Sequence, residues 1–240
     1  MQLAIDTSTD IVSLALSEDS QVIAELSWRS QQNHSTELLP QINHLLKLAK
    51  VDIKSISQII VAKGPGSYNG LRVGLSTAKG LAFSLKAPIV GISTLEAQAY
   101  QHAEIGLPIC PIFNAGRGEI ATAMYQKKDG KWRKLTAEHI TTLESLCSGI
   151  TTKTIFCGEL EPAMANQLKR KLKQKAVLAS PATRLRRAAY LAELGQKRLK
   201  SADYDNPTTL QPLYLRLPPI TKPKHKIEWR VDGNLATSKS

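Results

Sequence analysis

IIVAKGPGSYNGLRVGLSTAKGLAFSL, Ile59 to Leu85, decides the fold. Ile59, Ile60, Val61 and Ala62 form an unbroken apolar run, the pattern of a strand covered on both faces. Gly64, Pro65 and Gly66 break it, because proline has no N–H for a ladder and glycine tolerates positive φ. Ser67 offers a capping oxygen to a helix in which Leu71, Leu75, Ala78, Leu81, Ala82 and Leu85 recur at three- and four-residue steps. Gly70, Gly74 and Ala78 are spaced by four along one face of that helix. A glycine inside a helix costs about 1 kcal/mol against alanine, so something must approach closely. The approaching group is either the chain's own sheet or a helix of another chain.

Upstream, Leu3–Asp6, Ile11–Leu16 and Gln21–Trp28 read as three strands of an antiparallel meander. Ser35 or Thr36 caps a helix running to Ala49, with Pro40 expected in its first turn. Pro88–Ile92 is a further strand and Thr94–His102 a short helix, giving the order βββαβαβα. After residue 105 the pattern predicts strands at Ile109–Phe113, Glu119–Tyr125 and Lys153–Cys157, a hairpin turn at Gly130, and helices at Pro162–Lys173 and Ala182–Lys200. The expected division is a first lobe over 1–104, a smaller basic lobe over 105–217 whose final helix packs back on the first, and a disordered tail over 218–240. No internal repeat is visible in the sequence.

The formal charge of +12 is confined to the second part. Residues 1–100 hold eight Lys/Arg and eight Asp/Glu, whereas residues 169–200 hold eleven basic residues against Glu193 alone. Such clustering is the electrostatic footprint of a nucleic-acid contact, or else a solvated face. Lys169, Arg170, Lys171, Arg184, Arg186 and Arg187 are the candidate phosphate contacts. No run approaches the ~20 apolar residues of a membrane span, and Cys110, Cys147 and Cys157 have no metal or disulfide spacing. A cytoplasmic protein is expected.

Catalytic signals are sparse. Asp6-Thr7-Ser8-Thr9, after the first strand, offers hydroxyls and amides for a phosphate and an acid for Mg²⁺ through water. The same residues equally suit a self-bonded turn. The glycine turn at Gly64–Gly66 lacks both the dinucleotide fingerprint and the lysine of a P-loop. His34 and His44 have no carboxylate partner at ligand spacing, and no GxSxG or HExxH motif is present. Glu96, and Glu119 beside Arg117, are isolated acids.

Taken together, the opening βββαβαβα with DTST at its first turn resembles the actin-like ATPase superfamily, an α/β fold of two lobes of mixed sheet with helices. GPGSYNGLRVGLSTAKGLA (Gly64–Ala82), GISTLEA (Gly91–Ala97) and QQNHSTELLP (Gln31–Pro40) resemble the TsaB (YeaZ) family, with a fainter echo at PLYLR (Pro212–Arg216). That resemblance implies a non-catalytic subunit for making N6-threonylcarbamoyladenosine in tRNA. It would bind and activate the larger sister TsaD, join the ATPase TsaE, and form a homodimer when alone. It implies no cofactor of its own, with ATP or ADP at the contact with TsaD. Thr94 and Gln98 stand where TsaD carries its two metal-binding histidines, so no metal is expected. The family's usual GPGSFTG reads Tyr68 and Asn69 in this chain, and Asn114 and Gly116 replace an acid and an arginine of a DARRGE-like turn. The expected docking interface comprises Leu38, Leu39, Ile42, Leu45 and Leu46 of the first long helix, with Gly70, Leu71, Gly74, Leu75 and Ala78 of the second. The alternative is a small actin-like nucleotide hydrolase or kinase using Asp6 to Thr9 and the glycine turn.

Overall fold

The computed structural model describes residues 1–31 and 33–216; the expected tail over 218–240 lies outside them. Three antiparallel strands open the chain: β1 (Gln2–Asp6), β2 (Ile11–Glu18) and β3 (Gln21–Arg29). They are followed by α1 (His34–Ala49), β4 (Gln58–Gly64), α2 (Tyr68–Leu85), β5 (Ile89–Ser93) and α3 (Thr94–Tyr100). β4 pairs parallel to β1 and β5 parallel to β4, giving the order β3-β2-β1-β4-β5.

The chain then repeats this plan. β6 (Ile109–Gly116), β7 (Glu119–Lys128) and β8 (Lys131–Thr142) form a second meander, followed by α4 (Leu143–Gly149), β9 (Thr154–Gly158), α5 (Pro162–Leu172), β10 (Ala176–Leu178) and α6 (Ala188–Lys200). The second sheet is ordered β10-β9-β6-β7-β8, with β9 parallel to β6 and β10 parallel to β9. The βββαβαβα order therefore occurs twice, although no sequence repeat announces it.

The alternation of side chains explains the layering. Leu3, Ile59 and Val61 point to one face of the first sheet, where Leu38, Ile42 and Leu45 of α1 and Leu75 and Ala78 of α2 cover them. Ala4, Ile60, Ala62 and Val90 point to the other face, against Leu191 and Leu194 of α6. Both faces are dry, which is why Ile59–Ala62 reads as a continuous apolar run. In the second sheet Ile109, Ala123 and Ile155 meet Leu95 and Ala99 of α3, while Cys110, Ile112 and Phe156 meet Leu143, Leu168 and Leu172 of α4 and α5. Helices α3 and α6 share the middle layer, where Ala97 and Tyr100 pack with the α6 cluster. Thus α3 closes the sheet it does not follow, and so does α6.

Several local expectations change. The α1 helix begins at His34 after Asn33, so Pro40 lies inside it rather than in its first turn. The His34 ring anchors this early start, with Nε2 3.0 Å from the Thr9 carbonyl oxygen. The expected helix over 182–200 is divided: a short 3-10 turn spans Pro181–Arg184, Leu185 and Arg187 are extended, and α6 begins at Ala188. The small elements α4 and β10 were not anticipated.

Leu191 is fully buried between α6 and the first sheet. Leu191→Ala should lower unfolding free energy by about 2–5 kcal/mol. Urea denaturation should show no comparable loss for Leu39→Ala, whose side chain is exposed.

Candidate functional site

The turn after β1 and the start of α2 come together. Ser67 caps α2, accepting from the Gly70 N–H at 3.3 Å, and its own N–H donates to the Ser8 carbonyl at 2.6 Å. The Thr7 hydroxyl donates to the Gly70 carbonyl at 2.7 Å. A Cβ on Gly66 would lie 2.1 Å from Ser8 O, one on Gly70 2.2 Å from Thr7 O, and one on Gly74 2.1 Å from Thr7 Oγ1. The glycine face of α2 is therefore filled by the chain's own Asp6–Thr9 turn, not offered to another chain. Gly70 and Gly74 of the expected docking face are occupied within the chain. Gly70, Leu71, Gly74, Leu75 and Ala78 are all buried, as are Leu38, Ile42, Leu45 and Leu46 of α1; of those ten residues only Leu39 is exposed.

The same turn is closed on its other side by Arg186. Its Nε donates to Asp6 Oδ2 at 2.9 Å, and its Nη2 donates to Thr9 Oγ1 at 2.5 Å and to the Ile11 carbonyl at 3.0 Å. Asp6 Oδ1 accepts from the Ser8 N–H at 2.9 Å and the Ser8 hydroxyl at 2.5 Å. The guanidinium also lies 5.4 Å from the centre of the Phe113 ring on the second sheet. Asp6 is 2% exposed and Arg186 is 6% exposed. The carboxylate expected beside a phosphate is thus committed to an internal cation, and the turn's hydroxyls are bonded within the chain. This is the self-bonded outcome of the two that the residue types allowed, and it counts against the nucleotide-hydrolase alternative.

Other candidates separate. Arg186 is unavailable to a nucleic acid for the same reason. Arg184 donates to the carbonyls of Ala179 and Leu160, Arg187 pairs with Glu25, and Lys171 pairs with Glu144. Lys169 and Arg170 remain exposed. The Thr94 hydroxyl accepts from the Gly64 N–H at 3.1 Å. The Gln98 side chain is wholly buried, and among the described residues neither of its amide atoms has a hydrogen-bond partner. Glu119 accepts from Arg216, and Asn114 Oδ1 accepts from the Gly116 N–H. Burial raises the Glu96 carboxyl above its ordinary range, opposed by the indole N–H of Trp132 at 3.0 Å. Burial lowers the His102 imidazole. The Cys110 thiol is pushed up to about 12 by burial, and Cys157 is likewise raised, so neither supplies a thiolate near neutral pH.

The sequence marks the closing segment at PLYLR (Pro212–Arg216) but not its place against the glycine turn. Leu213 N–H donates to the Lys63 carbonyl at 2.6 Å, and a Cβ on Gly64 would lie 2.8 Å from Leu213 O. The Tyr214 ring lies tilted at 31° with its centre 5.2 Å from that of Tyr68, and Arg72 lies over the Tyr68 ring and donates to the Tyr214 hydroxyl at 3.3 Å. Tyr68, Leu213 and Tyr214 wall a cleft of about 260 Å³ whose far side is Phe113, Ala121 and Ile140 of the second sheet. Tyr68, where the family's glycine motif has phenylalanine, and PLYLR itself are the signals the sequence offers.

Outside this region, the groove between α1 and α2 is open. It has a volume of about 300 Å³ and is lined by the apolar Leu39, Ile42, Leu46, Val51, Ile53 and Leu81 together with the polar Asn43, Lys47 and Asp52. Leu39 is 56% exposed and Ile53 38%.

The family model described as "TsaD: tRNA N6-adenosine threonylcarbamoyltransferase" matches residues 23–229. The Bacillus subtilis (strain 168) tRNA threonylcarbamoyladenosine biosynthesis protein TsaB is 34% identical over 218 residues, covering 90% of this chain and 93% of that one. The chain belongs to the TsaB (YeaZ) family. The solved structure of YeaZ from Pseudomonas aeruginosa superposes with a TM-score of 0.74 at 23% identity, over 88% of this chain and 99% of that one. Component A of the (R)-2-hydroxyglutaryl-CoA dehydratase of Acidaminococcus fermentans gives a TM-score of 0.51 at 12% identity, over 81% and 96%. The fold is that of the actin-like ATPases, as the opening strand–helix order implied. Among the described residues no helix is long and apolar enough to cross a membrane.

Three single substitutions and one double variant test this packing. Gly74→Ala should destabilise by about 1–3 kcal/mol, since Thr7 Oγ1 is held by its bond to Gly70. Gly80→Ala, with nothing within 4 Å, should stabilise by up to about 1 kcal/mol in the same urea titration. Arg186→Met leaves Asp6 buried without its cation and should cost about 3–5 kcal/mol. Adding Asp6→Asn should recover part of that loss, and a double variant no more stable than the single would contradict the pairing.

Proposed function

We propose that this chain is a non-catalytic subunit of tRNA N6-threonylcarbamoyladenosine synthesis that docks on a TsaD-type transferase and activates it. The contact is the groove between α1 and α2. The observation that carries this reading is the exposure of Leu39 and Ile53 beside the apolar Ile42, Leu46, Val51 and Leu81. An amphipathic helix from a partner fits such a groove. Family membership supports the pathway, because the Bacillus relative is named for that biosynthesis. The chemistry of the chain supports a subunit rather than an enzyme: Asp6 is held by Arg186, the buried thiols are protonated, and Thr94 and Gln98 occupy the resembling metal positions without offering ligands.

The same groove pairs a second copy when the transferase is absent, and an ATPase of the TsaE type completes the assembly. A nucleotide held where this chain meets the transferase belongs to the same proposal, as does a tRNA met by the basic second half. Reconstitution with the transferase, the ATPase and the carbamoyl-adenylate synthase should form product only when this chain is added. Leu39→Glu with Ile53→Glu, both at exposed positions, should weaken transferase binding at least tenfold while leaving the melting temperature within a few degrees. Unchanged binding by this variant would rule out the groove, and product formed at full rate without the chain would rule out activation.

A further inference from the structure

The eleven basic residues of 169–200 do not form one face, since Arg184, Arg186, Arg187, Lys197 and Arg198 are engaged by the chain's own carbonyls and carboxylates. A different set of cations is brought together by strand register. In the second sheet Ala176 pairs with Thr154, so Lys175 and Lys153, each one residue earlier, sit side by side where β10 and β9 begin. Ile109 pairs with both Ile155 and Tyr125, which puts Lys127 at the same level on β7, where it ends. Lys128 pairs with Lys131 where β7 turns into β8. One end of this sheet thus carries lysine on β10, β9, β7 and β8. With neighbouring strands about 4.8 Å apart, five strands span roughly 19 Å.

Helix α5 adds to the same end. It returns from the far end of β9 to reach Lys175, so its last turn, with Lys169 and Arg170, and Lys173 just after it, lie beside Lys153. Lys128, Lys131, Lys153, Lys173 and Lys175 are exposed, and among the described residues none has a carboxylate within ion-pair distance. Nearby acids are few: Glu104 pairs with Lys127, Glu144 pairs with Lys171, and Asp129 sits in the turn between Lys128 and Lys131. The adjacent Trp132 is turned inward, stacked on Tyr125 with its indole N–H on Glu96, so it presents no face to a base.

We infer that this strand-end stripe holds the phosphate backbone of an RNA, and that in the proposed complex the RNA is the tRNA being modified. The inference rests on the reading of the chain as a subunit of that complex, but places the contact on the opposite lobe from the transferase groove. Lysines are suited to it as mobile point charges, and without an exposed aromatic or a fixed arginine fork the contact positions the RNA without reading its bases. Four neutralised phosphates would give log K a slope of about −3 against log salt.

The test uses the full chain, alone and assembled with the transferase, and a variant carrying Lys128→Glu, Lys153→Glu, Lys173→Glu and Lys175→Glu. Fluorescence anisotropy with unmodified tRNA across a salt series should show at least a tenfold loss of affinity and a slope reduced by about 3. A matched single-stranded RNA of unrelated sequence should lose affinity to a similar degree. Transferase capture by the variant should stay at the wild-type level, which separates this inference from the groove. Unchanged tRNA affinity and slope in a variant that melts like the wild type would overturn it. Loss of binding to anionic phosphatidylserine vesicles, or to an acidic polypeptide, with tRNA binding intact would overturn it in favour of that other partner.

Discussion

The structure turns on a buried ion pair between residues 180 positions apart. Arg186 and Asp6 retain only 6% and 3% of their side-chain exposure, and removing two charges from water costs several kcal/mol per ion. That cost is tolerable only if every acceptor is in place, and the surrounding bonds meet this condition. Asp6 takes Arg186 on one oxygen and both Ser8 donors on the other; Arg186 spends its second nitrogen on Thr9 and Ile11. The geometry is restrictive. It draws Leu185–Arg187 out of any helix, so α6 starts at Ala188, whose N–H donates to Ser13 Oγ at 2.9 Å. The ion pair therefore sets the register of α6 on the first sheet, and with it the central layer of the molecule.

That layer explains why the two halves behave as one body despite having separate sheets. Each half builds the same βββαβαβα plan, and the last helix of each half packs on the other half's sheet. Leu95 and Ala99 complete the second core, and Leu191 and Leu194 complete the first. Neither sheet is dry on both faces without the opposite half. The side of the inter-sheet space nearest β1 is occupied by Arg186, the Phe113 ring and the turn hydroxyls, and the closing segment at Leu213–Tyr214 walls another side.

Much of the first half was legible because its patterns are periodic. The run Ile59–Ala62 and the four-residue stripe of α2 depend only on side-chain alternation, and both formed as read. Pro40 misled because a first-turn rule was applied without knowing that His34 would be pinned to Thr9 and start the helix early. The second half was harder to read. β10 has three residues and α4 seven, too few to show a period. The basic cluster misleads for a different reason: charge density along a sequence says nothing about which cations already have partners, and six of the eleven have one within the chain. The stripe at the strand ends draws on residues from 127 to 175 that only sheet register places together.

The small-residue face of α2 carries the wider physical lesson. Spacing by four shows that a backbone must be approached closely, but not by what. Thr7 supplies the answer, with its hydroxyl and carbonyl in the space that two Cβ atoms would fill. The glycines therefore belong to folding, since they let the first strand's turn nest into the start of α2. A docking surface must then be sought where the chain has not satisfied itself. On α1 and α2 the proposed contact is the outward groove at Leu39, Ile53 and Leu81, where the fold leaves Leu39 and Ile53 exposed although both are apolar.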